Sequence, residues 1–241
     1  MSATLAMIFE KKKETVLMTH PLPHPFCDIR KQIPNQEFRV IFDVGANEGQ
    51  SCLPYAQAFP DATVFAFEPV SETFEALKNK TLPYKNIKPH EIAFGEVDGI
   101  LSMKVSGTSS MNRVVPEGTA GAAAKVKTAR IDTFCYEQKI PYINFLKIDT
   151  EGYDQNVLRG CGDYLRNIDF IQCEASANDY NKFHNNFAKL SEFMSAAGFF
   201  LYYVYGQTFE WGGGGYPVLR RFDPVFINQR VVGPLKNVIV A

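Results

Sequence analysis

The chain has 241 residues, and its basic and acidic residues nearly balance, giving a formal net charge of −1 at pH 7. This length allows one large domain or two small ones. Hydrophobic residues make up 46% of the chain and charged residues 21%, which excludes a disordered, coiled-coil or collagen-like protein. A near-neutral chain is not expected to bind nucleic acid through a broad basic surface. Because no apolar run reaches about 18 residues, we expect no membrane-spanning helix either.

The N-terminal segment and the cysteines indicate a cytoplasmic protein. Residues 1–17 contain a Glu-Lys-Lys-Lys-Glu run and no long apolar core, so we expect no secretory signal. The five cysteines are scattered and include no C-x-x-C pair, which is typical of a reduced intracellular protein with packed thiols. Residues 1–36 show no sustained period. We interpret them as an N-terminal extension before a single domain over 37–241, and a lid, a dimer arm of a homodimer and a disordered tail stay open as its role.

Short apolar runs alternate with helical patterns from residue 39 onward. Strands are predicted over 40–42, 63–67, 87–94, 100–105, 126–131, 143–148, 169–173, 199–205 and 225–227. Helices are predicted over 50–59, from 71 onward, and over 132–139, 154–158 and 183–194. Asp98-Gly99 predicts a hairpin turn into the strand at 100–105. The alternation is typical of an α/β fold with a doubly wound, mostly parallel sheet, and the last two strands predict an antiparallel element at one edge.

Acidic side chains follow the ends of four predicted strands. They are Asp43, Glu68, Asp149 with Glu151, and Glu174. In doubly wound sheets, ligands bind beyond the carboxyl ends of the strands, so these acids are expected at one rim. Carboxylates gathered in one cleft repel one another, so we expect a cationic ligand, a metal or a basic side chain to compensate their charge. Lys147 alternates onto the same strand face as Asp149, and we interpret it as a counter-charge or as a catalytic base.

The turn after the first strand favours a particular kind of ligand. It contains Gly45-x-x-x-Gly49, with Asn47 where a dinucleotide-binding turn has its second glycine. That substitution argues against a bound pyrophosphate, and Asp43 beside the turn suits an ammonium group. Glu68 stands at the spacing from which a carboxylate binds a ribose diol. The pattern therefore favours a positively charged nucleoside without phosphates, such as S-adenosylmethionine.

Several segments together resemble the FkbM family of methyltransferases. They are residues 42–49, 65–69, 145–153 and 157–160, with weaker likeness at 93–99 and 131–134. The resemblance runs from about residue 40 to residue 174. It implies a class I methyltransferase fold, which is Rossmann-like with a seven-stranded sheet, and S-adenosylmethionine as cofactor. It also implies O-methylation of a hydroxyl on a sugar, a glycan or a small natural product.

The resemblance also implies roles for individual residues on the cofactor side. Asp43, Gly45, Asn47 and Gly49 would hold the methionine end of the cofactor. Glu68 would hold its ribose, while Ala93 and Phe94 would lie near its adenine.

The acids after the fourth and fifth main strands are the candidate catalytic residues. For Asp149, Glu151 and Glu174, the roles of general base and of ligands of Mg²⁺ or Mn²⁺ stay open. For Asp149 and Glu151, capping of the following helix is a third open role. His184 is either a second candidate base or a packed histidine. The loop at 109–113 and the glycine-rich segment at 211–216 are candidate lids over the acceptor.

Two other functions compete with the methyltransferase hypothesis. One is a nicotinamide-dependent oxidoreductase, against which Asn47 and the acidic rim argue. The other is a non-catalytic cofactor-binding module of the same fold, since a fold does not prove turnover. The expected partner is a small-molecule or glycan substrate, with neither nucleic acid nor a membrane.

Overall fold

The computed structural model describes residues 24–105, 112–119, 124–181, 183–212 and 214–234. Its helices are α1 (Phe26–Gln32), α2 (Cys52–Ala58), α3 (Ser71–Thr81), α4 (Ile131–Glu137), α5 (Asp154–Arg159), α6 (Phe187–Ala196) and α7 (Gln229–Val232). Its strands are β1 (Val40–Val44), β2 (Thr63–Phe67), β3 (Ile87–His90), β4 (Ala93–Phe94), β5 (Gly99–Lys104), β6 (Arg113–Val115), β7 (Ala124–Ala129), β8 (Ile143–Ile148), β9 (Ile168–Gln172), β10 (Ala175–Ser176), β11 (Asn185–Asn186), β12 (Phe199–Trp211) and β13 (Pro217–Asn228). Within these ranges the helices are all too short or too polar to cross a bilayer.

A mostly parallel sheet forms the centre of the described chain. The strands β3, β2, β1, β8 and β9 lie side by side in this order, all parallel. β13 pairs antiparallel with β9, and β12 pairs antiparallel with the other edge of β13. The predicted doubly wound α/β fold is confirmed. The predicted antiparallel element is also found at one edge, where β12 and β13 pair antiparallel outside β9.

The main sheet has nine strands among the described residues, rather than the predicted seven. β9 and β10 pair with the same edge of β13 in one continuous register, since Gln172 pairs with Val225 and Ala175 with Phe222. It is therefore a continuation of β9 after a short break. β11 then adds two residues in parallel to β10. The extra strands thus lengthen one end of the sheet, beside the candidate acid Glu174.

Both faces of the sheet are covered by apolar layers. Strand alternation sends Phe42 into one buried cluster and Ile41 into the other. A strand buried on both faces needs a nearly continuous apolar sequence, which is why β1 and β8 were recognisable as short apolar runs. Phe26 of α1 packs its ring 4.6 Å from that of Phe145, measured between centroids. Full burial of such a side chain contributes about 1.5–3 kcal/mol. The domain boundary at residue 37 stays a prediction.

A second sheet lies between β3 and β8 in the chain, with its strands in the order β4-β7-β5-β6. The predicted hairpin at Asp98-Gly99 is wrong, because β7 lies between β4 and β5 and pairs with both. The predicted strand over 87–94 is likewise divided into β3 and β4, which belong to different sheets. Asp98 instead accepts a hydrogen bond from the backbone N–H of Arg130 at 2.8 Å, which ties this sheet to the start of α4.

The last two strands are much longer than predicted. Their outer halves are largely exposed, so they lack the buried apolar runs by which the other strands were recognised. Trp211 ends β12, and the short connection to β13 contains the glycines of the candidate lid. Gly213 of that lid and residues 109–111 of the other candidate lid lie outside the described residues.

Candidate active site

A cavity of about 270 Å³ lies at the carboxyl ends of β1, β2 and β8. Its walls include eight of the predicted site residues: Gly45, Asn47, Glu68, Ala93, Phe94, Lys147, Asp149 and Glu151. Apolar side chains of the second sheet, including Met103 and Val114, close one side of it. Three other predicted site residues, Asp43, Gly49 and Glu174, lie behind or beside this wall rather than in it.

The turn after β1 is held tightly against the neighbouring strand ends. The N–H groups of Gly45 and Ala46 donate to the carbonyl of Phe67, at 3.0 and 2.9 Å. Gly45 has a φ of +80°, and a Cβ there would overlap the backbone carbonyl of Asp149. Packing alone therefore requires glycine at position 45, whatever the turn binds. Gly49, with a φ of +100°, packs against Leu53 instead of facing the cavity.

Glu68 is a buried carboxylate in the wall of the cavity, and only 6% of its surface is exposed. Its Oε2 accepts a hydrogen bond from the N–H of Asn47 at 3.1 Å, and its Oε1 accepts one from Val70 at 3.0 Å. Burial raises the pKa of Glu68 to about 7, because those two bonds offset the loss of solvent only in part. Each carboxylate oxygen can accept a second hydrogen bond, so a held pair of acceptors is available to a ligand.

Lys147 lies between two of the predicted acids. Its Nζ is 3.2 Å from Oδ1 of Asp43, which is fully buried, and 3.1 Å from Oδ2 of Asp149, which is 43% exposed. Burial lowers the pKa of Lys147, but the two carboxylates outweigh this effect and hold it well above its ordinary value. Lys147 is therefore an ammonium at neutral pH, which favours the counter-charge role over the base role.

Asp154 holds together the loops that follow β8 and β9. Its Oδ1 accepts hydrogen bonds from the N–H and the hydroxyl of Thr150, at 3.0 and 2.5 Å, and its Oδ2 accepts one from the N–H of Glu174 at 3.1 Å. This role is not evident from the sequence, since an acid in the first turn of a helix is ordinarily explained by the helix dipole. Burial raises the pKa of Asp154 to about 7.

The helix-capping interpretation of Asp149 and Glu151 is wrong. The residue before α5 is Tyr153, and the start of this helix has no side-chain cap. Glu151 instead adopts a φ of 52°, which is uncommon for a residue with a side chain. The next residue, Gly152, also has positive φ, and a Cβ there would overlap the carbonyl of Phe183. This backbone arrangement brings the loop after β8 against the segment that precedes α6.

Glu151 and Glu174 meet at the buried side chain of His184. Nε2 of His184 lies 2.7 Å from Oε2 of Glu174 and 3.9 Å from Oε2 of Glu151. On its other side, Nδ1 of His184 contacts the side-chain amide of Asn181. Burial lowers the pKa of His184, whereas burial and then Asp149 raise that of Glu151. The sequence had left His184 open as a base or a packed residue.

Arg221 is a further residue of this cluster that the sequence analysis missed. It lies on β13 and forms an ion pair with Oε1 of Glu174. No motif surrounds it in the sequence, and only the antiparallel pairing of β13 with β10 brings it there. The candidate site thus has two parts, the cavity with Glu68 and Lys147, and an adjoining cluster around Glu174.

Known proteins resemble this chain over most of the central sheet. The methyltransferase FkbM domain matches residues 43–201. The hexuronic acid methyltransferase AglP of Haloferax volcanii is 29% identical over 146 residues, which cover 59% of this chain and 58% of AglP. The 2-O-methyltransferase NoeI of Sinorhizobium fredii is 24% identical over 153 residues, covering 57% of this chain and 63% of NoeI.

Among solved structures, precorrin-6y C5,15-methyltransferase from Geobacter metallireducens is similar, with a TM-score of 0.47 and 14% identity over 82% of this chain and 84% of that one. The chain spans less than two thirds of the lengths of AglP and NoeI. The FkbM domain, in contrast, matches well over half of the chain, which confirms the resemblance found in the sequence. The chain belongs to the family of the methyltransferase FkbM domain.

Proposed function

We propose that this chain is an S-adenosylmethionine-dependent methyltransferase that methylates a hydroxyl group of a sugar or a related small molecule. The observation that carries the proposal is the buried carboxylate of Glu68 in the cavity wall. Both of its oxygens are held by backbone N–H groups, and both keep capacity for a further hydrogen bond. Two adjacent hydroxyls of a ribose are the matching donors.

The methionine end of the cofactor would lie at Lys147 and Asp149. Nζ of Lys147 has three protons, of which the Asp43 and Asp149 carboxylates take two, so one is available to a ligand carboxylate. The half-exposed carboxylate of Asp149 suits a ligand ammonium. Asp43, which is fully buried, would then act through Lys147 rather than by direct contact.

The apolar side of the cavity suits a flat purine ring. Ala93, Phe94 and Ile92 line it together with Met103 of the second sheet. Phe94 is 1% exposed and packs at 4.6 Å, between ring centroids, from Phe67. It therefore offers a fixed wall and not a ring that moves on binding. A pocket of this kind, mostly apolar with a few placed polar groups, is typical of nucleoside sites.

Glu151 is the residue that we assign to the acceptor. S-adenosylmethionine, when bound, supplies a methyl group attached to its sulfonium, and the rest of the cofactor leaves as a neutral thioether. An acceptor hydroxyl must lose its proton as its oxygen bonds to that methyl group. Glu151 is the candidate to take this proton, because it borders the cavity and its pKa is raised by burial and by Asp149. A raised pKa brings a carboxylate nearer to the range in which it works as a base at neutral pH.

The relatives suggest the class of acceptor. One is named a hexuronic acid methyltransferase and another a 2-O-methyltransferase. We therefore propose a sugar hydroxyl as the acceptor, with uronic acids as the first compounds to examine.

Calorimetric titration with S-adenosylhomocysteine, with NAD as control, tests the proposed function. We expect S-adenosylhomocysteine to bind and NAD not to bind, and a screen of free sugars, uronic acids and glycosides to yield a methylated product. Binding of NAD alone would support the oxidoreductase alternative. Tight binding of S-adenosylhomocysteine without any turnover across the screen would support the non-catalytic module.

A further inference from the structure

Three potential metal ligands converge beside the cavity. The carboxylates of Glu151 and Glu174 and the imidazole of His184 each offer one atom, and these atoms all lie within 4.8 Å of one another. Glu174 and His184 are buried, whereas Glu151 is half-buried and reaches the cavity. The three residues come from three separate loops, after β8, after β9 and before α6. The fold, and no local motif, therefore brings them together.

One atom of this cluster lacks a hydrogen bond where it should have one. Oε2 of Glu174 is fully buried and has no hydrogen-bond partner among the described residues. Nε2 of His184 lies 2.7 Å away, but this contact does not have hydrogen-bond geometry. Arg221 occupies the other oxygen, Oε1, and so does not satisfy Oε2. A buried carboxylate oxygen without a partner is unfavourable, and a cation bound beside it would satisfy it.

We propose that Glu151, Glu174 and His184 bind a divalent cation of the Mn²⁺ or Zn²⁺ type. In a six-coordinate site, metal–ligand bonds of about 2.0–2.2 Å place neighbouring ligand atoms about 3 Å apart and opposite ones about 4.2 Å apart. The measured separations from Nε2 of His184, 2.7 Å to Glu174 and 3.9 Å to Glu151, lie close to those values.

The donor set selects the class of ion. Imidazole nitrogen is a common ligand of Zn²⁺ and other transition metals, whereas Mg²⁺ and Ca²⁺ prefer oxygen ligands alone. We therefore expect Mn²⁺ or Zn²⁺ to bind more tightly than Mg²⁺. One interpretation of the sequence has Asp149, Glu151 and Glu174 as ligands of Mg²⁺ or Mn²⁺. In the structure His184 takes the place of Asp149, whose carboxylate contacts Lys147.

The surrounding residues hold the ligands as metal sites require. The amide of Asn181 contacts Nδ1 of His184, which fixes the ring and turns Nε2 toward the two carboxylates. Arg221 holds Oε1 of Glu174, and Asp154 accepts a hydrogen bond from its backbone N–H. Such supporting contacts typically change metal affinity about 10–100-fold.

The ion would have a role in the reaction because Glu151 borders the cavity. This role, but not the binding of the ion, rests on the proposed function. An ion held there polarises an acceptor hydroxyl and lowers its pKa, and the second oxygen of Glu151 remains to take the proton. Binding of the ion can be measured without cofactor or acceptor.

The test is a titration of the full chain with Mn²⁺ after treatment with a chelator and its removal. Free Mn²⁺ is followed by electron paramagnetic resonance, and Zn²⁺ and Mg²⁺ are compared by calorimetry. We expect one Mn²⁺ per chain, at least tenfold weaker binding in Glu174→Gln and His184→Asn, and weaker binding of Mg²⁺ than of Mn²⁺ in the unaltered chain. Absence of Mn²⁺ and Zn²⁺ binding would overturn the proposal.

A matched control comes from the second cluster of potential ligands in the described chain, formed by His24, Cys27 and Asp28. We expect His24→Asn to leave Mn²⁺ binding unchanged, and the proposal is wrong if this variant loses the ion while His184→Asn keeps it. Far-ultraviolet circular dichroism shows that the variants are folded, and each sample is also titrated with S-adenosylhomocysteine. Metal binding without S-adenosylhomocysteine binding would overturn the proposed function and leave the ion site standing.

Discussion

The backbone N–H of Asn47 donates a hydrogen bond to Oε2 of Glu68 at 3.1 Å. This bond joins the turn after β1 to the turn after β2, so the two segments that would hold the ends of a nucleoside are fixed to each other. Asn47 itself has a φ of 51°, which is uncommon for a residue with a side chain. The cavity wall is thus preorganised before any ligand arrives, and its contacts can be tested one at a time.

The first prediction concerns the carboxylate of Glu68. Glu68→Ala removes both ribose acceptors, and we expect the affinity for S-adenosylhomocysteine to fall about 10- to 150-fold, or about 1.5–3 kcal/mol. Calorimetry measures this loss directly. Glu75→Ala is the control, because Glu75 lies exposed on α3 and should leave the affinity unchanged. Equal affinities in the two variants would remove Glu68 from the cofactor site.

The second prediction is a pH dependence of cofactor binding. The carboxyl of Glu68 has a pKa of about 7 in the fold, so it becomes neutral below that pH and loses its charge-assisted bonds to the ribose. We expect affinity to fall as the pH drops below 7, by up to about tenfold per unit. Glu68→Gln should bind weakly but with a flat profile. If the affinity of this variant still depends on pH, a group other than Glu68 causes the dependence.

The same raised pKa sets the sign of the contribution of Glu68 to stability without ligand. Its folded pKa of about 7 exceeds the ordinary value of 4.5, so the folded chain holds the proton more tightly than the unfolded chain. The stabilising contribution is therefore fully present below 4.5 and is lost as the pH rises through about 7. S-adenosylhomocysteine should oppose this loss, because it binds the ionised carboxylate.

The third prediction separates two reasons for glycine at position 45. Gly45 and Gly198 have nearly equal φ angles, +80° and +83°, but only Gly45 faces an atom that a Cβ would overlap. Gly198→Ala should cost about 1–2 kcal/mol, the penalty for left-handed backbone. Gly45→Ala should cost clearly more, because the carbonyl of Asp149 must also move. Chemical denaturation measures both, and equal losses would contradict the packing explanation.

The site residues that could be predicted from the sequence are those that lie at the end of a single strand. Each parallel strand is an apolar run with a polar end, so Asp43, Glu68 and Asp149 were placed at one rim before the fold was known. The residues that were missed depend on pairings between distant segments. Arg221 reaches Glu174 only through the antiparallel β13, and Asp154 acts through a bond to a loop 20 residues away. β4 was misassigned because the residues of β7 with which it pairs follow 35 positions later in the chain.

The fourth prediction tests whether Lys147 is a counter-charge. Lys147→Met leaves the fully buried carboxylate of Asp43 without its cation, which should destabilise the fold by about 3–5 kcal/mol. The double variant Asp43→Asn with Lys147→Met removes both charges and should recover much of that loss. Lys78→Met is the control, since the exposed Lys78–Glu75 pair contributes at most about 1 kcal/mol. A double variant no more stable than Lys147→Met would show that the pairing with Asp43 is not the source of the loss.

The fifth prediction concerns Asp154, which holds two loops of the site. Asp154→Ala leaves the N–H groups of Thr150 and Glu174 and the hydroxyl of Thr150 without their acceptor. Each buried donor left in this way costs about 1–3 kcal/mol, so we expect the free energy of unfolding to fall by more than about 2 kcal/mol.

Asp163→Ala is the control, since its side chain is almost fully exposed and the change should stay within about 0.5 kcal/mol. Because Asp154 holds the backbone of Glu174, its loss should also weaken Mn²⁺ binding. S-adenosylhomocysteine binding should change less, since Glu68 is held by other backbone N–H groups. Titration of the folded variant with both ligands distinguishes these effects. An unchanged Mn²⁺ affinity would mean that Glu174 keeps its place without Asp154.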